Sequence, residues 1–289
     1  MGGGIWTTSS FTDYCTSVRN ISASNISLDG AITATMSSQE MYKSRTLDAA
    51  LNPYNVVREC RDSNEHPHTI PVILALDVTG SMGKAAVEVA KKLNVVMTNL
   101  YDQVKDVEFC IMGIGDLAYD RFPIQISQFE SDIRIAEQMD KVYFEYGGGG
   151  NYYESYTIAW YMGARHTELD CWKRGQRGII ITMGDERMNP YMPMGALNAC
   201  TGDAVQADID TAELYKEVVE KYDVYHLDVN HRRWHDNGIK SSWKSLLDDK
   251  HFREVTLDSI ADTIVEIIVN ATECPISTTT TNNNGEICW

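Results

Sequence analysis

The stretch Ile70-Pro-Val-Ile-Leu-Ala-Leu-Asp77-Val-Thr79-Gly-Ser81-Met-Gly83 carries the strongest structural pattern in this 289-residue chain. It begins with an apolar run that ends in an acid, which is typical of a strand buried on both faces of a parallel sheet. Apolar residues from Val87 to Leu100 then recur at helical spacing, so they predict an amphipathic helix directly after the loop. A buried strand, a polar loop and a helix in this order indicate one unit of an α/β fold.

The same alternation of strands and helices continues along the chain. Further strands are predicted at residues 107–115, 124–129, 178–185, 223–229 and 252–257. Further helices are predicted at residues 131–142, 154–165, 211–222, 241–249 and 260–271, and residues 187–210 form a long irregular insertion. This order predicts an α/β fold with a doubly wound, mostly parallel sheet that is flanked by helices on both faces.

The two ends of the chain differ from this central part. Residues 1–65 are rich in Ser, Thr and Asn, with a moderately helical stretch near residues 38–51. Because they show little apolar periodicity, we expect an extended N-terminal arm and domain lead-in, in which residues 1 to about 45 offer little apolar surface to the core and Leu51, Tyr54, Val56 and Val57 pack against it. Residues 66–272 form the predicted domain, and residues 273–289 form a Thr- and Asn-rich tail that we expect to be disordered.

The charge of the chain narrows the classes of partner. Forty-one acidic and 25 basic residues give a formal net charge of -16. Such a chain is poorly suited to nucleic acid or to an anionic membrane, since both bind basic surfaces. Seven scattered cysteines, no secretory signal and no apolar run long enough to span a bilayer indicate a soluble, cytoplasmic protein.

The loop after the first strand has the pattern of a cation site. Asp77, Thr79 and Ser81 place one carboxylate and two hydroxyls at alternate positions. Oxygen ligands select a hard divalent cation such as Mg²⁺, Mn²⁺ or Ca²⁺. In the simpler interpretation, Asp77 and Ser81 only cap the helix that follows.

This loop resembles the first loop of the metal-ion-dependent adhesion site of von Willebrand factor type A domains, whose pattern is Asp-x-Ser-x-Ser. Thr79 stands where the family has its first Ser. The family's two later elements are a Thr in a glycine-rich loop and an Asp that ends the fourth strand. Here Gly147-Gly-Gly-Gly-Asn151 and Gly184-Asp185-Glu186 occupy those places. The resemblance covers residues 66–272 and is nearest to intracellular bacterial or viral members.

The second element departs from the family pattern, because no Thr follows the four glycines. Asn151 has the nearest matching position, and we include it with Asp77, Thr79, Ser81 and Asp185 in the predicted metal-ligand set. Glu154 and Ser155 remain alternatives for the same role. A glutamate would bind the cation more tightly but would attract an acidic partner less well.

The resemblance implies a divalent-cation-dependent protein-binding module and not an enzyme. The partner would present an Asp or Glu to the metal, and an AAA+ ATPase or an assembly component is plausible. One alternative is a structural or assembly protein whose metal site is vestigial. A less favoured alternative is a metal-dependent hydrolase, for which Glu154 is the available general base.

Weaker signals have two interpretations each. Asp116 follows the second strand and either orients the water around a metal or, as we favour, caps a turn. His226, His231 and His235 have a spacing that zinc ligands can have, but we expect surface histidines. Tyr156 and Trp160 are four residues apart in a predicted helix, so we expect them in the core.

Overall fold

The computed structural model describes residues 4–147, 151–229 and 237–273. Its strands are β1 Arg58–Cys60, β2 Ile70–Asp77, β3 Val107–Ile114, β4 Ile124–Ile126, β5 Tyr153–Glu154, β6 Thr167–Leu169, β7 Gly178–Gly184, β8 Arg187–Met188, β9 Tyr191–Met192, β10 Ile209–Asp210, β11 Tyr222–Val229 and β12 Phe252–Val255. Its α-helices are α1 Thr8–Ser17, α2 Ser38–Met41, α3 Gly83–Tyr101, α4 Arg134–Asp140, α5 Ile158–Arg165, α6 Met194–Thr201, α7 Thr211–Val218, α8 Asn237–Trp243 and α9 Ile260–Glu273.

Six strands form the central sheet, in the order β12-β11-β7-β2-β3-β4. All neighbouring pairs are parallel except β3 and β4, which are antiparallel. The strand order therefore reverses at β2, whose neighbours are β3 and β7. The predicted α/β fold, a mostly parallel, doubly wound sheet, is confirmed.

Helices cover both faces of this sheet, and β2 shows why its sequence is apolar throughout. Val72, Leu74 and Leu76 belong to one buried cluster, together with the apolar faces of α3 and α9. Ile73 and Ala75 belong to a second cluster on the opposite face, which includes α5 and α7. Successive side chains of a strand point to opposite faces, so a strand with a core on each side needs apolar residues at every position.

Residues 4–37 pack against the first of these faces. Trp6, Phe11, Cys15, Ile21 and Ile32 are buried in the same cluster as the sheet and α3. The expectation that this segment offers little apolar surface is therefore wrong. Its apolar residues lie in a short helix and in irregular turns, so their spacing along the chain does not show which of them face the core.

Polar side chains fix the arm to the domain at two points. Asn94 is buried in α3, where its Oδ1 accepts a hydrogen bond from Trp6 Nε1 at 2.8 Å and its Nδ2 donates to the Asp29 carbonyl at 2.7 Å. At the second point, Arg19 forms an ion pair of 2.7 Å with Asp140. Buried polar groups destabilise a fold unless they are hydrogen-bonded, so each of these contacts specifies where the arm lies.

Several element boundaries differ from the sequence prediction. The helix expected from residue 154 begins only at Ile158, because Tyr153 and Glu154 pair with Arg187 and Met188 as a short parallel ladder. The helix expected near residues 38–51 is limited to α2 and a 3₁₀ turn at Ala49–Leu51. The insertion at residues 187–210 contains α6 and the short strands β8, β9 and β10.

The predicted disordered tail, apart from Glu273 at the end of α9, lies outside the described residues. The boundaries at residues 65 and 272 stay predictions. β1, within the predicted lead-in, pairs with β6 of the predicted domain.

We expect Asn94→Ala to destabilise the protein by about 1–3 kcal/mol, because Trp6 Nε1 and the Asp29 carbonyl lose their buried partner. Proteolysis of the arm under native conditions should accelerate as well. Asn99→Ala in the same helix, at an exposed position, is the matched control. Equal melting temperatures for the two variants would contradict the role assigned to Asn94.

Candidate metal centre

The residues of the first loop and of the Gly-Asp-Glu element meet at one edge of the sheet. β2 ends at Asp77 and β7 ends at Gly184, and these two strands are hydrogen-bonded neighbours with Leu76 opposite Met183. Asp185 therefore follows the strand next to Asp77. Ligands of open α/β sheets bind at this position, outside the carboxyl ends of strands where the strand order reverses.

Asp77 is fully buried and accepts three hydrogen bonds. Its Oδ1 accepts from Thr79 N at 2.8 Å and from Thr79 Oγ1 at 2.6 Å. Its Oδ2 accepts from Tyr156 Oη at 2.7 Å. Since these donors come from the loop and from a distant part of the chain, the carboxylate is held in one orientation.

Ser81 connects this group to the neighbouring strand end. Its Oγ donates to Asp185 Oδ1 at 3.0 Å and lies 3.5 Å from Thr79 Oγ1. Asp77, Thr79, Ser81 and Asp185 thus form one continuous chain of polar contacts, although 104 positions separate Ser81 from Asp185. We call these four residues the acid–hydroxyl cluster.

The acid–hydroxyl cluster concentrates negative charge in a buried place. Burial, and then the charge of Asp185, raise the pKa of Asp77 to about 7. The hydrogen bonds from Thr79 and Tyr156 act in the opposite direction, because they favour the ionised carboxylate. The two carboxylates therefore repel each other at neutral pH.

Tyr156 holds the two strand ends together, and the sequence analysis assigned it only to the core. Its hydroxyl donates to Asp77 and accepts from the backbone N–H groups of Asp185 and Glu186, both at 3.2 Å. Its ring is buried beside His226 and Trp243. The core assignment is right for the ring, but nothing in the local sequence pattern indicates a hydroxyl that bridges two strands.

Gly184 is required by this arrangement. A Cβ atom at this position would lie 2.0 Å from Tyr156 Oη. Because Tyr156 is buried and hydrogen-bonded on both sides, it has no room to retreat. The residue before Asp185 is therefore a glycine because any larger side chain would overlap Tyr156.

The glycine-rich loop begins beside the first loop. Gly80 N donates to the Gly147 carbonyl at 3.0 Å, so the two loops are in backbone contact. Residues 148–150, three of the four glycines, lie outside the described part of the chain. The contact supports the predicted proximity of these two elements without placing the rest of the loop.

Asn151 and Ser155, two of the three candidates for completing the metal site, contact the turn after β3. Asn151 Nδ2 donates to Asp116 Oδ2 at 2.8 Å, and Asn151 Oδ1 accepts from Tyr153 N at 3.4 Å. Ser155 Oγ accepts from Leu117 N at 3.0 Å. Both side chains therefore hold a neighbouring turn, and the place of Asn151 among the metal ligands stays a prediction.

Asp116 has the turn-capping contact that we favoured. Its Oδ1 accepts from Ala118 N at 2.7 Å, two residues further along the chain. The backbone N–H of Asp116 in turn donates to Asp120 Oδ2 at 2.6 Å. Asp116 thus shapes the loop beside the acid–hydroxyl cluster.

Glu154, the third candidate, is only 5% exposed and has a carboxylate oxygen, Oε2, without a hydrogen-bond partner in the described residues. Burial raises the pKa of Glu154 to about 10, with further contributions from Asp77, Asp120 and Asp116. A buried oxygen without a partner is costly unless a proton or a cation satisfies it. Of the three candidates, Glu154 has the least satisfied ligand atom.

The histidine interpretation needs a correction. His226 is a fully buried residue of β11 and not a surface histidine, since its ring stacks on Trp243 at 3.5 Å and its Nδ1 lies 2.9 Å from Thr182 Oγ1. Burial lowers the pKa of His226 well below its usual value. His231 and His235 lie outside the described residues.

Residues 4–147, 151–229 and 237–273 lack two further features, a cluster of conventional metal ligands and a membrane-spanning helix. No group of three or more His, Cys, Asp and Glu side chains there has the arrangement of a metal site. The acid–hydroxyl cluster has two carboxylates, so it would rely on hydroxyl oxygens as well. Among the same residues, no helix has the length and apolarity that crossing a bilayer requires.

We expect Gly184→Ala to destabilise the protein by about 1–3 kcal/mol or more, because the added methyl group overlaps Tyr156. Gly195→Ala is the matched control, since a Cβ at Gly195 in α6 meets no atom within 4 Å. This control should be neutral or slightly stabilising. Chemical denaturation of both variants measures the difference, and a Gly184→Ala protein as stable as Gly195→Ala would disprove the overlap.

We also expect a pH dependence that originates at Asp77. Its pKa rises from 3.8 in the unfolded chain to about 7 in the folded protein, so the folded state binds more protons between these values. Stability without divalent cations should therefore fall as the pH increases from about 5 to about 8.

Asp77→Asn should reduce this loss by on the order of 1–3 kcal/mol, because the amide does not ionise. The measurement is urea denaturation in chelator at several pH values. If the variant and the wild type lose the same stability over this interval, Asp77 is not the titrating group.

Comparisons with known proteins give structural likenesses but no family. No protein-family model matches the chain, and no curated protein matches it. One similar structure is the open conformation of the pilus adhesin SpaC from Lactobacillus rhamnosus GG, at 11% identity and a TM-score of 0.47 over 72% of this chain. The chain spans 30% of that SpaC chain.

Two further structures are similar at the same level. The vWF domain of the type V pili tip protein Mfa5 from Porphyromonas gingivalis is 13% identical, with a TM-score of 0.42 over 73% of this chain and 98% of that chain. Proximal thread matrix protein 1 from the mussel byssus is 9% identical, with a TM-score of 0.44 over 71% of this chain and 48% of that chain. Since all three TM-scores are below 0.5, the function of this chain is proposed from the residues of its site.

Proposed function

We propose that this chain is a divalent-cation-dependent protein-binding module of the von Willebrand A type. Asp77, Thr79, Ser81 and Asp185 would hold Mg²⁺, or Mn²⁺ or Ca²⁺, and a partner would present an Asp or Glu to the cation. The observation that carries the proposal is the 3.0 Å hydrogen bond from Ser81 to Asp185, which joins the two predicted parts of the site.

The donor chemistry fits such a cation. The acid–hydroxyl cluster offers carboxylate and hydroxyl oxygens, which hard divalent cations prefer. Its two acids are buried together, and burial, followed by the charge of Asp185, raises the pKa of Asp77. A cation would add positive charge beside these acids and so allow a partner's carboxylate to approach them.

The third ligand element in the proposal is Asn151, with Glu154 and Ser155 as the alternatives, and one observation supports Glu154 between these two. Glu154 Oε2 is buried without a hydrogen-bond partner in the described residues, whereas Asn151 and Ser155 contact the turn after β3. If Glu154 moved to the cation on binding, the site would carry three carboxylates, an arrangement that residues 4–147, 151–229 and 237–273 do not have in this structure. It would then hold the cation more tightly and leave less positive charge for a partner's acid.

The same observation argues against a hydrolase that uses Glu154 as its base. Burial and neighbouring acids raise the pKa of Glu154 to about 10, so in the metal-free protein its carboxyl keeps its proton at neutral pH, and a cation would have to displace that proton. A protonated carboxyl cannot accept a proton from water, and an efficient general base has a pKa near the working pH. A binding role therefore suits this site better than catalysis.

The partner class and the compartment are part of the proposal. An AAA+ ATPase or an assembly component that presents an acidic residue is the partner we propose, acting in the cytoplasm. An assembly protein with a vestigial site is the second candidate, and it is less favoured because the arm that would bind neighbours is fixed to its own domain by contacts such as the Arg19–Asp140 ion pair. Cation binding separates these two candidates.

We expect Mg²⁺ or Mn²⁺ to stabilise the folded protein by about 2.7 kcal/mol at one hundred times the Kd, because the cation binds only the folded state. Asp185→Asn should abolish this gain while leaving the metal-free protein as stable or more stable, since a repulsive charge is removed. The readout is thermal unfolding with cation and with chelator.

Asp262→Asn is the control for this experiment, because Asp262 is an exposed acid on α9, away from the cluster. It should keep the full cation effect. A wild-type protein without a cation effect, or an Asp185→Asn protein with the full effect, would refute the proposed site.

A further inference from the structure

The start of the arm has a further polar anchor, at the edge of the sheet opposite the acid–hydroxyl cluster. The carbonyl oxygen of Gly4 accepts a hydrogen bond from Ser131 Oγ at 2.8 Å and lies 3.0 Å from His66 Nε2. The other ring nitrogen, His66 Nδ1, lies 3.3 Å from Asp106 Oδ1. His66 and Ser131 are buried, so these contacts are made away from solvent. We call Gly4, His66, Asp106 and Ser131 the histidine latch.

The histidine latch is continuous with the contacts that hold Trp6. The backbone N–H of Trp6 donates to the Ser131 carbonyl at 3.1 Å, and the same carbonyl accepts from Tyr101 Oη of α3 at 2.9 Å. The ring of Trp6 is buried and bonded to Asn94. Because Ser131 contacts both Gly4 and Trp6, a weaker contact at the latch also weakens the docking of the whole segment Gly4–Trp6.

The protonation state of His66 decides how many of these contacts are hydrogen bonds. A doubly protonated ring donates from Nδ1 to Asp106 and from Nε2 to the Gly4 carbonyl, whose second lone pair accepts from Ser131. If the ring has a proton only on Nδ1, the lone pair of Nε2 faces the Gly4 carbonyl, and the single hydroxyl proton of Ser131 can satisfy only one of the two. If the proton is only on Nε2, the lone pair of Nδ1 faces the carboxylate of Asp106. The imidazolium is therefore the form that satisfies the complete latch.

A buried carboxyl group beside the ring also favours the imidazolium. Burial raises the pKa of Glu108, at the start of β3, to about 7. The hydrogen bond from Cys60 and the positive charge of His66 act against this rise. Since the interaction between two charges is mutual, an ionised Glu108 stabilises the charged form of His66.

The nearest elements on the other side also contribute charged groups. Glu130, the residue before Ser131, adds negative charge that raises the pKa of Glu108 further. Arg134 of α4 forms ion pairs with Glu130 at 3.0 Å and with Asp132 at 2.8 Å. The positive charge of Arg134 is thus shared between two acids, and His66 carries the positive charge that contacts Asp106.

We propose that His66 makes the docking of the segment Gly4–Trp6 dependent on pH: the imidazolium holds the segment, and loss of the ring proton loosens it. Histidine is the side chain that ordinarily changes its charge between about pH 5 and 8. Hydrogen bonds from charged donors are stronger than neutral ones, so docking is tightest in acid and weakens as the pH rises. The proposal is independent of the metal site, because β2 separates the two edges by roughly 23 Å.

Hydrogen exchange of the full-length protein tests the latch, because protection factors are corrected for the intrinsic effect of pH on the exchange rate. The readout is the backbone N–H of Trp6 at pH 6 and at pH 8, in chelator. Its protection should fall about tenfold, which is the effect of losing one hydrogen bond from a charged group. The fall should exceed that of α3 on the same sample, since titration of Asp77 destabilises the whole domain.

Three variants identify the titrating group. His66→Gln should give low protection of the segment that is equal at both pH values. Ser131→Ala should retain most of the protection at pH 6, where the imidazolium still donates to Gly4, and should lose more than the wild type at pH 8. His68→Gln is the matched control, because His68 is an exposed histidine two residues away, and it should behave as the wild type.

Equal protection of the Trp6 amide at pH 6 and pH 8, or a fall that α3 shares in full, would overturn the proposal. A fall that persists in His66→Gln and disappears in Glu108→Gln would assign the titration to Glu108, which also overturns it. If His66→Gln does not fold, the Ser131→Ala profile decides. Only donation by His66 makes the Ser131 hydroxyl more important at pH 8 than at pH 6, so an equal loss at both values contradicts the latch.

Discussion

The burial of two carboxylates at neighbouring strand ends is the constraint on which this structure depends. Asp77 and Asp185 follow the adjacent strands β2 and β7, and burial with mutual repulsion raises the pKa of Asp77. Hydroxyl and backbone donors from Thr79, Ser81 and Tyr156 partly offset this repulsion. This arrangement depends on three features: the order of the strands, the glycine before Asp185 and the position of the Tyr156 hydroxyl.

Much of this edge was predictable from the sequence, because central parallel strands are apolar on both faces and their ends are easy to find. The strand Ile70–Asp77 was predicted with its observed ends, and the adjacency of β2 and β7 brought Ser81 and Asp185 together as expected. The packing of the arm was not predictable, since Trp6 and Asn94 are far apart in the sequence and pair through a buried side-chain amide. The late start of α5 and the bridging hydroxyl of Tyr156 likewise depend on long-range pairing.

The glycine-rich loop is the part of the site that departs from the von Willebrand A pattern. The von Willebrand A pattern has a neutral hydroxyl at this place, whereas this chain has Asn151 and Glu154 there. Asn151 contacts Asp116. Glu154 is buried, and one of its carboxylate oxygens has no hydrogen-bond partner in the described residues. A third carboxylate would exceed the charge of a divalent cation. Partner recognition would then depend more on the contacts around the cation than on the cation itself.

The most direct test of this account is the position of a bound cation. Crystals grown with Mn²⁺, measured near the manganese absorption edge, give an anomalous difference map in which the metal is located independently of the protein atoms. The account predicts one strong peak that contacts Ser81 or Thr79 and lies next to Asp77 and Asp185. If the acid–hydroxyl cluster is fully ordered and no peak lies beside it, or if the manganese peak lies elsewhere on the chain, the account is contradicted.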